Sequence, residues 1–121
     1  MQSKIQNYRD LIVWQKAHQL VLIIYKSTRN FPKSEIFGLV SQMRRCAVSV
    51  VSNIVEGFAR QGMKEKAQFY FHAKSSLVEL QSQLEIAKDL KFVGLSEYQE
   101  VEQLIVEVQK MISGLIKKQK R

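Results

Sequence analysis

One segment of helical length, residues 38–60, constrains the fold of this 121-residue chain more than any other feature. At 100° per residue, most of its circumference is apolar, and its polar side chains fall within about a third of the helical wheel. This polar stripe consists of Ser41, Arg45, Ser49, Ser52, Asn53, Glu56 and Arg60. A helix in so small a chain needs such a wide apolar surface only if it is covered on two sides. The segment therefore predicts a helix that packs both in a core and in a subunit interface.

Few helix breakers interrupt the rest of the chain, which contains five Gly and one Pro in all. Apolar residues recur at helical spacing and no alternating strand pattern of any length is present, so we expect an all-α protein. The predicted helices cover about residues 10–29, 36–58, 64–92 and 96–118. Each is around 30 Å long or longer. Because short turns join them, we predict that residues 1–121 form a single domain, an antiparallel up-down four-helix bundle.

The ends of these helices are predicted from local signals. Asp10 has a side chain suited to the N-cap of the first helix, and Pro32 ends that helix because it cannot continue it. Gly94 is placed to supply the left-handed residue that closes the third helix. Ser96 and Gln99 have the spacing of a capping box at the start of the fourth.

The charge balance is strongly basic, with 19 Lys and Arg against 11 Asp and Glu and a formal net charge of +8. Such a field attracts polyanions: nucleic acid, an anionic membrane surface or an acidic protein. The alternative is a solvated surface that keeps a small protein soluble. The candidate phosphate-contacting residues are Arg44, which points away from the polar stripe, and Lys64, Lys66, Lys117, Lys118, Lys120 and Arg121. A second group, Arg45, Asn53, Glu56 and Arg60, is expected to form a structural network within the stripe that sets register.

No pattern of residues indicates catalysis, a metal site or a cofactor site. His18 and His72 lack the Glu or second His at helical spacing that a di-iron bundle needs, and Cys46 adds no familiar zinc spacing. A phosphate loop and a dinucleotide fingerprint are also absent from the sequence. We therefore expect a non-enzymatic protein with no cofactor and no metal. A single Cys fits a reducing compartment, and neither a secretory signal nor a membrane span is evident, so a cytoplasmic protein is predicted.

Five motifs, in order and at the expected spacing, resemble those of the small bacterial four-helix bundles known as 23S rRNA-intervening-sequence, or S23-like, proteins. They are DLIVWQKA at residues 10–17, Phe31-Pro32 with Glu35-x-Phe37-Gly38-Leu39, Gln42-x-Arg44-Arg45, Ser52-Asn53-Ile54-x-Glu56-Gly57, and Ser76-Leu77-x-Glu79-Leu80-x-x-Gln83-Leu84. The resemblance covers about residues 10–92. The chain departs from the family pattern at Val51, where Pro is frequent, and at Ser75, where Gly is common.

The resemblance implies a homopentamer in a bacterial cytoplasm and implies no established activity. Some members are encoded inside intervening sequences of rRNA genes. Relatives of the same fold are accessory proteins of diversity-generating retroelements, in which a basic pentamer associates with a reverse transcriptase and nucleic acid. We therefore expect a homo-oligomer that binds RNA or DNA through phosphate contacts or presents nucleic acid to a partner protein. The alternatives are a structural or protein-interaction scaffold with no nucleic-acid role and, more distantly, an enzyme.

Overall fold

The structure is a computed structural model that describes residues 6–119, so Lys120 and Arg121 lie outside the described residues. It contains four α-helices: α1, Ile12–Thr28; α2, Ser41–Ala59; α3, Met63–Asp89; and α4, Leu95–Lys118. Two 3-10 turns, Tyr8–Asp10 and Lys33–Glu35, and a π-helical turn at Ile36–Val40 lie before α1 and between α1 and α2. No strand occurs within residues 6–119. The predicted all-α four-helix bundle is confirmed.

The helices form a square in which each one packs against two neighbours: α1 and α3 each contact both α2 and α4. Sequential helices run antiparallel, and α4 returns antiparallel to α1, as the Ser27–Glu97 hydrogen bond and the Lys16–Glu107 ion pair show. One end of the bundle therefore holds the α1–α2 and α3–α4 connections, which the packed rings of Phe31 and Phe92 join at 5.4 Å. We call this the Phe31 end. The opposite Gly62 end holds the α2–α3 turn, the start of α1 and the end of α4.

The core is built from the apolar stripe that each helix presents at three- and four-residue spacing. Burying one such Leu, Ile or Val side chain contributes roughly 1.5–3 kcal/mol. The largest fully buried side chains are Leu20, Ile24, Met43, Ile54, Leu77, Leu80, Leu84, Ile105, Ile112, Val50, Val101 and Val108.

Gly57 allows α2 to pack closely against α3. A Cβ atom on Gly57 would lie 2.4 Å from Cε1 of Tyr70, a contact too short for real carbon atoms.

Ser75 faces solvent on α3, and its neighbour Ser76 faces α2 instead, where its hydroxyl shares a 2.9 Å hydrogen bond with Ser49. α2 remains a regular helix through Val51.

The first two helices begin later than predicted. α1 begins at Ile12, after Leu11, and Asp10 belongs to a preceding 3-10 turn whose cap is the side chain of Asn7, so the predicted Asp10 cap is wrong. The second predicted helix begins as a π-helical turn, and α2 follows only after Gly38, whose φ of −109° and ψ of −111° are not helical. A glycine tolerates this backbone at little cost, and the chain changes direction there.

The connection between α3 and α4 also differs from the prediction. The left-handed residue is Lys91, with φ of 64°, and Gly94 has φ of −73°. The amides of Lys91 and Phe92 donate to the carbonyl groups of Lys88 and Ala87, which is the hydrogen-bond pattern of a Schellman motif. α4 begins at Leu95 without a side-chain cap, so the predicted capping box of Ser96 and Gln99 is wrong.

Candidate nucleic-acid interface

The antiparallel arrangement brings candidate residues from opposite parts of the sequence to the Gly62 end. Lys64 lies in the first turn of α3, and Lys117 and Lys118 lie in the last turn of α4, the helix that packs beside it. All three side chains are exposed. The two lysines of α4 also complement the negative end of the helix dipole.

The Gly62 end carries more positive than negative charge among the described residues. None of the ammonium groups of Lys64, Lys117 and Lys118 is in a salt bridge within residues 6–119. Arg60 is less available, because its guanidinium pairs with Glu56 at 3.1 Å and lies over the ring of Phe69. Exposed lysines without a salt bridge in the described part of the chain are suited to phosphate oxygens, which need no fixed approach geometry from an ammonium group.

Lys66, a predicted phosphate contact, has a structural role in the bundle. Its Nζ donates to the carbonyl oxygens of Gly57 at 3.1 Å and Phe58 at 2.9 Å, which are among the last carbonyl groups of α2. Burial lowers the pKa of this ammonium group. Lys66 therefore caps the end of α2 and ties it to α3, and its charge is directed inward.

Arg44 is also held within the protein, on the other side of the molecule. Its Nε donates to Oγ1 of Thr28 at 2.9 Å and its Nη2 donates to the carbonyl oxygen of Tyr25, over whose ring the guanidinium lies. These contacts tie the start of α2 to the end of α1. The sequence predicted Arg44 as a phosphate contact, and its partners on α1 are visible only in the fold.

Arg44 lines a surface feature that sequence reasoning missed. An open groove of about 740 Å³ lies between α1 and α2 at the Phe31 end. We call it the basic groove, because it contains four cationic side chains and no carboxylate group. Its lining residues are Tyr25, Thr28, Arg29, Phe31, Lys33, Ile36, Phe37, Val40, Ser41, Arg44, Arg45 and Val48. The spacing of charged residues along the sequence could not reveal the groove, because Arg29, Lys33, Arg44 and Arg45 come from separate parts of the fold.

The polar stripe on α2 separates into parts with different environments. Asn53 donates its Nδ2 to the carbonyl and hydroxyl oxygens of Ser49, which is itself bonded to α3. Glu56 and Arg60 pair one turn apart at the Gly62 end. Arg45 is exposed and lines the basic groove, away from both contacts.

His18, His72 and Cys46, which were weighed as metal ligands in the sequence, lie on three different helices. His18 stacks on Trp14 in α1, whereas His72 lies beside Phe69 in α3. Cys46 is buried in α2, where burial and the nearby carboxylate of Glu79 raise the pKa of its thiol. Within residues 6–119, no cluster of three or more His, Cys, Asp or Glu side chains is arranged to hold a metal ion, and no helix is long and apolar enough to cross a bilayer.

The chain is similar to a known protein family and to a solved structure. A family model described as 23S rRNA-intervening sequence protein matches residues 9–114. The fold is similar to the 1.70 Å crystal structure of a protein of unknown function from the S23 ribosomal protein family of Bacteroides thetaiotaomicron. That similarity has a TM-score of 0.79 at 21% sequence identity and covers 88% of this chain and 99% of the other. No functionally curated protein matches the sequence. Neither description names a catalytic activity.

Proposed function

The chain belongs to the family of 23S rRNA-intervening sequence proteins, and we propose that it is a non-enzymatic, basic, homo-oligomeric bundle of the cytoplasm that binds RNA or DNA. In this proposal binding occurs through phosphate contacts with little sequence preference, or serves to present nucleic acid to a partner protein. The observation that carries the proposal is the set of exposed, unbridged lysines at the Gly62 end, Lys64, Lys117 and Lys118. The terminal Lys120 and Arg121 follow them in sequence.

Assembly strengthens this proposal because phosphate contacts are individually weak. Each chain has a formal net charge of +8, and copies joined in one particle present several basic ends to the same polyanion. Linked contacts act at high effective concentration, so the avidity of an oligomer exceeds the affinity of one copy. The sequence resemblance implies five copies, and the proposal adopts a homopentamer as its working assembly.

The test measures binding of a fluorescein-labelled single-stranded RNA, and of the same sequence as duplex DNA, by anisotropy over a range of salt. The variant carries Lys64→Gln, Lys117→Gln and Lys118→Gln. Each phosphate contact contributes about 0.7 to the log–log salt slope for a single strand and about 0.9 for duplex DNA. The variant is therefore expected to lower the slope by about 2 on RNA and about 3 on duplex DNA for each engaged copy.

A matched control removes the same charge elsewhere. Lys26→Gln, Lys91→Gln and Lys110→Gln change exposed lysines that lie outside the last turn of α4 and the first turn of α3. This control is expected to retain most of the slope. Equal losses in both triple variants would contradict a site at the Gly62 end, and absence of binding by wild-type protein at micromolar concentration in roughly 50 mM salt would contradict nucleic-acid binding altogether.

A protein-interaction scaffold without a nucleic-acid role is the second candidate, and one observation favours it. The basic groove combines cations with exposed apolar residues, and Phe37 is 97% exposed at its edge. Exposed apolar surface of this kind marks protein contacts more often than phosphate contacts. Under this candidate, the wild-type protein binds no nucleic acid in the anisotropy assay yet still assembles.

A further inference from the structure

Phe37 is an unusually exposed aromatic residue on a turn with a side-chain cap. It lies in the π-helical turn, between a 3-10 turn and the non-helical backbone of Gly38. The side chain of Glu35 caps this turn, its Oε1 accepting from the amide of Leu39 at 3.3 Å. A large apolar side chain that is 97% exposed on a capped turn is typical of an anchor that inserts into a partner, because burial then costs little conformational entropy.

A second surface at the same end of the bundle has the complementary character. The outward face of α3 forms a shallow depression of about 480 Å³ lined by Val78, Gln81, Ser82, Glu85, Ile86 and Asp89. We call it the acidic stripe, because its lining contains two carboxylate groups and no cation. Lys88 lies at its edge, with its Nζ 3.8 Å from Oδ1 of Asp89.

The apolar part of the acidic stripe has room for an aromatic side chain. Val78 and Ile86 are 49% and 47% exposed, and eight residues of helix place them about 12 Å apart along the axis. Ser82 lies between them on the same face, four residues after Val78 and four before Ile86. Its short side chain leaves a notch flanked by two aliphatic groups, and Glu85 stands beside that notch.

The groove and the stripe lie at the same level of the bundle but on different sides. Ser49, which follows the groove residue Val48, shares a hydrogen bond with Ser76 of α3, two residues before the stripe residue Val78. The groove opens between α1 and α2, whereas the stripe is on the outward face of α3, diagonal to α1. A sideways displacement, without tilting, therefore brings the groove of one copy to the stripe of another.

We propose that the basic groove of one copy binds the acidic stripe of a second copy, with Phe37 seated between Val78 and Ile86 and with Arg45 facing Glu85. This inference rests on the proposed homo-oligomer and names its interface. Because the two surfaces differ, the contact is heterologous, and such contacts close into rings when the rotation between copies permits. All Gly62 ends then point the same way, so their lysines form one continuous basic rim.

Charge complementarity favours a second copy over nucleic acid as the occupant of the groove. Four cations in the groove meet two carboxylates and two aliphatic side chains in the stripe, and one contact covers both exposed apolar surfaces. A phosphate backbone would neutralise the cations but would leave Ile36, Phe37 and Val48 exposed to water.

The test uses one variant on each side of the contact. Phe37→Asp disables the groove and leaves the stripe intact, whereas Ile86→Asp disables the stripe and leaves the groove intact, and the two introduced carboxylates repel each other where the disabled surfaces would meet. Loss of a buried anchor weakens an interface by at least about 30-fold, so each variant is expected to be a monomer of 14.1 kDa by light scattering. In an equimolar mixture, the intact groove of the Ile86 variant can bind the intact stripe of the Phe37 variant. The mixture is therefore expected to form a heterodimer of twice that mass and nothing larger.

The control variant is Leu95→Asp, which changes an exposed apolar residue at the Phe31 end outside both surfaces. It is expected to assemble like wild-type protein, and circular dichroism confirms that all variants fold. A monomeric wild-type protein would overturn the proposed assembly. A wild-type oligomer that both variants preserve would overturn only this interface, as would a Phe37→Asp variant that assembles normally but loses RNA binding. Self-association of either single variant into a dimer would refute the heterologous contact.

Discussion

The close approach of α2 and α3 at Gly57 gives a prediction whose sign depends on the tertiary structure. In a helix, replacing Gly by Ala ordinarily stabilises, by about 0.5–1 kcal/mol. At Gly57 the new methyl group would lie 2.4 Å from Cε1, 2.8 Å from Cδ1 and 3.0 Å from Cζ of Tyr70. These are atoms of a rigid ring that is 3% exposed, so the clash cannot be relieved by rotating the end of a flexible chain.

The expected magnitude is the difference between the two effects. Overpacking a well-packed core costs about 1–3 kcal/mol, and the gain in helix propensity offsets up to about 1 kcal/mol of it. We expect Gly57→Ala to lower the free energy of unfolding by about 1–2 kcal/mol, which corresponds to a fall in Tm of about 4–8 °C for a chain of this size. Urea and thermal unfolding followed by circular dichroism, at fixed protein concentration, measure both quantities.

Gly114 supplies the matched control, because it lies within α4 and nothing is found within 4 Å of a Cβ atom built there. Gly114→Ala is expected to raise the free energy of unfolding by about 0.5–1 kcal/mol. A double-mutant cycle adds Tyr70→Leu, in whose background Gly57→Ala should cost at least about 1 kcal/mol less. If Gly57→Ala stabilises as Gly114→Ala does, or if the cycle shows no coupling, the close-approach reasoning is refuted.

Three further predictions concern individual side chains. Lys91→Gly should stabilise by about 1 kcal/mol in urea unfolding, because Lys91 has a φ of 64° that glycine adopts without strain; no gain would contradict this. Lys66→Met should destabilise by about 1–2 kcal/mol through the loss of two hydrogen bonds, whereas the exposed control Lys64→Met should change stability by less than about 0.5 kcal/mol. Burial, with Glu79, raises the pKa of Cys46 above its usual 9.0, so the folded thiol keeps a proton that the unfolded thiol releases. Its contribution is present below pH 9.0 and lost as pH rises through the raised pKa, so wild-type protein should lose stability more steeply than Cys46→Ala above pH 9.0, and parallel curves would contradict the shift.

The predictions that failed share a cause. Asp10, Gly94 and Ser96 have the side chains that helix ends favour, but each signal is worth only about 1 kcal/mol. At the α3–α4 connection, helix packing outweighs the preferences of Gly94 and Ser96: the Phe31–Phe92 contact closes the Phe31 end, and the chain turns at Lys91 although a glycine stands three residues later. Local propensity therefore indicated that a turn was present without locating its strained residue.

The sequence by itself determined the helical class, the number of helices and the face that each turns inward, because the spacing of apolar residues is a property of the chain. It also determined an excess of positive charge. Only the tertiary structure decided how that charge is used, because an ammonium or guanidinium group is available to a ligand only if the fold offers it no nearer acceptor. Lys66 and Arg44 found such acceptors on neighbouring elements. Lys64 and Lys117 have no such acceptor among residues 6–119, and antiparallel packing placed these distant residues at one end of the bundle.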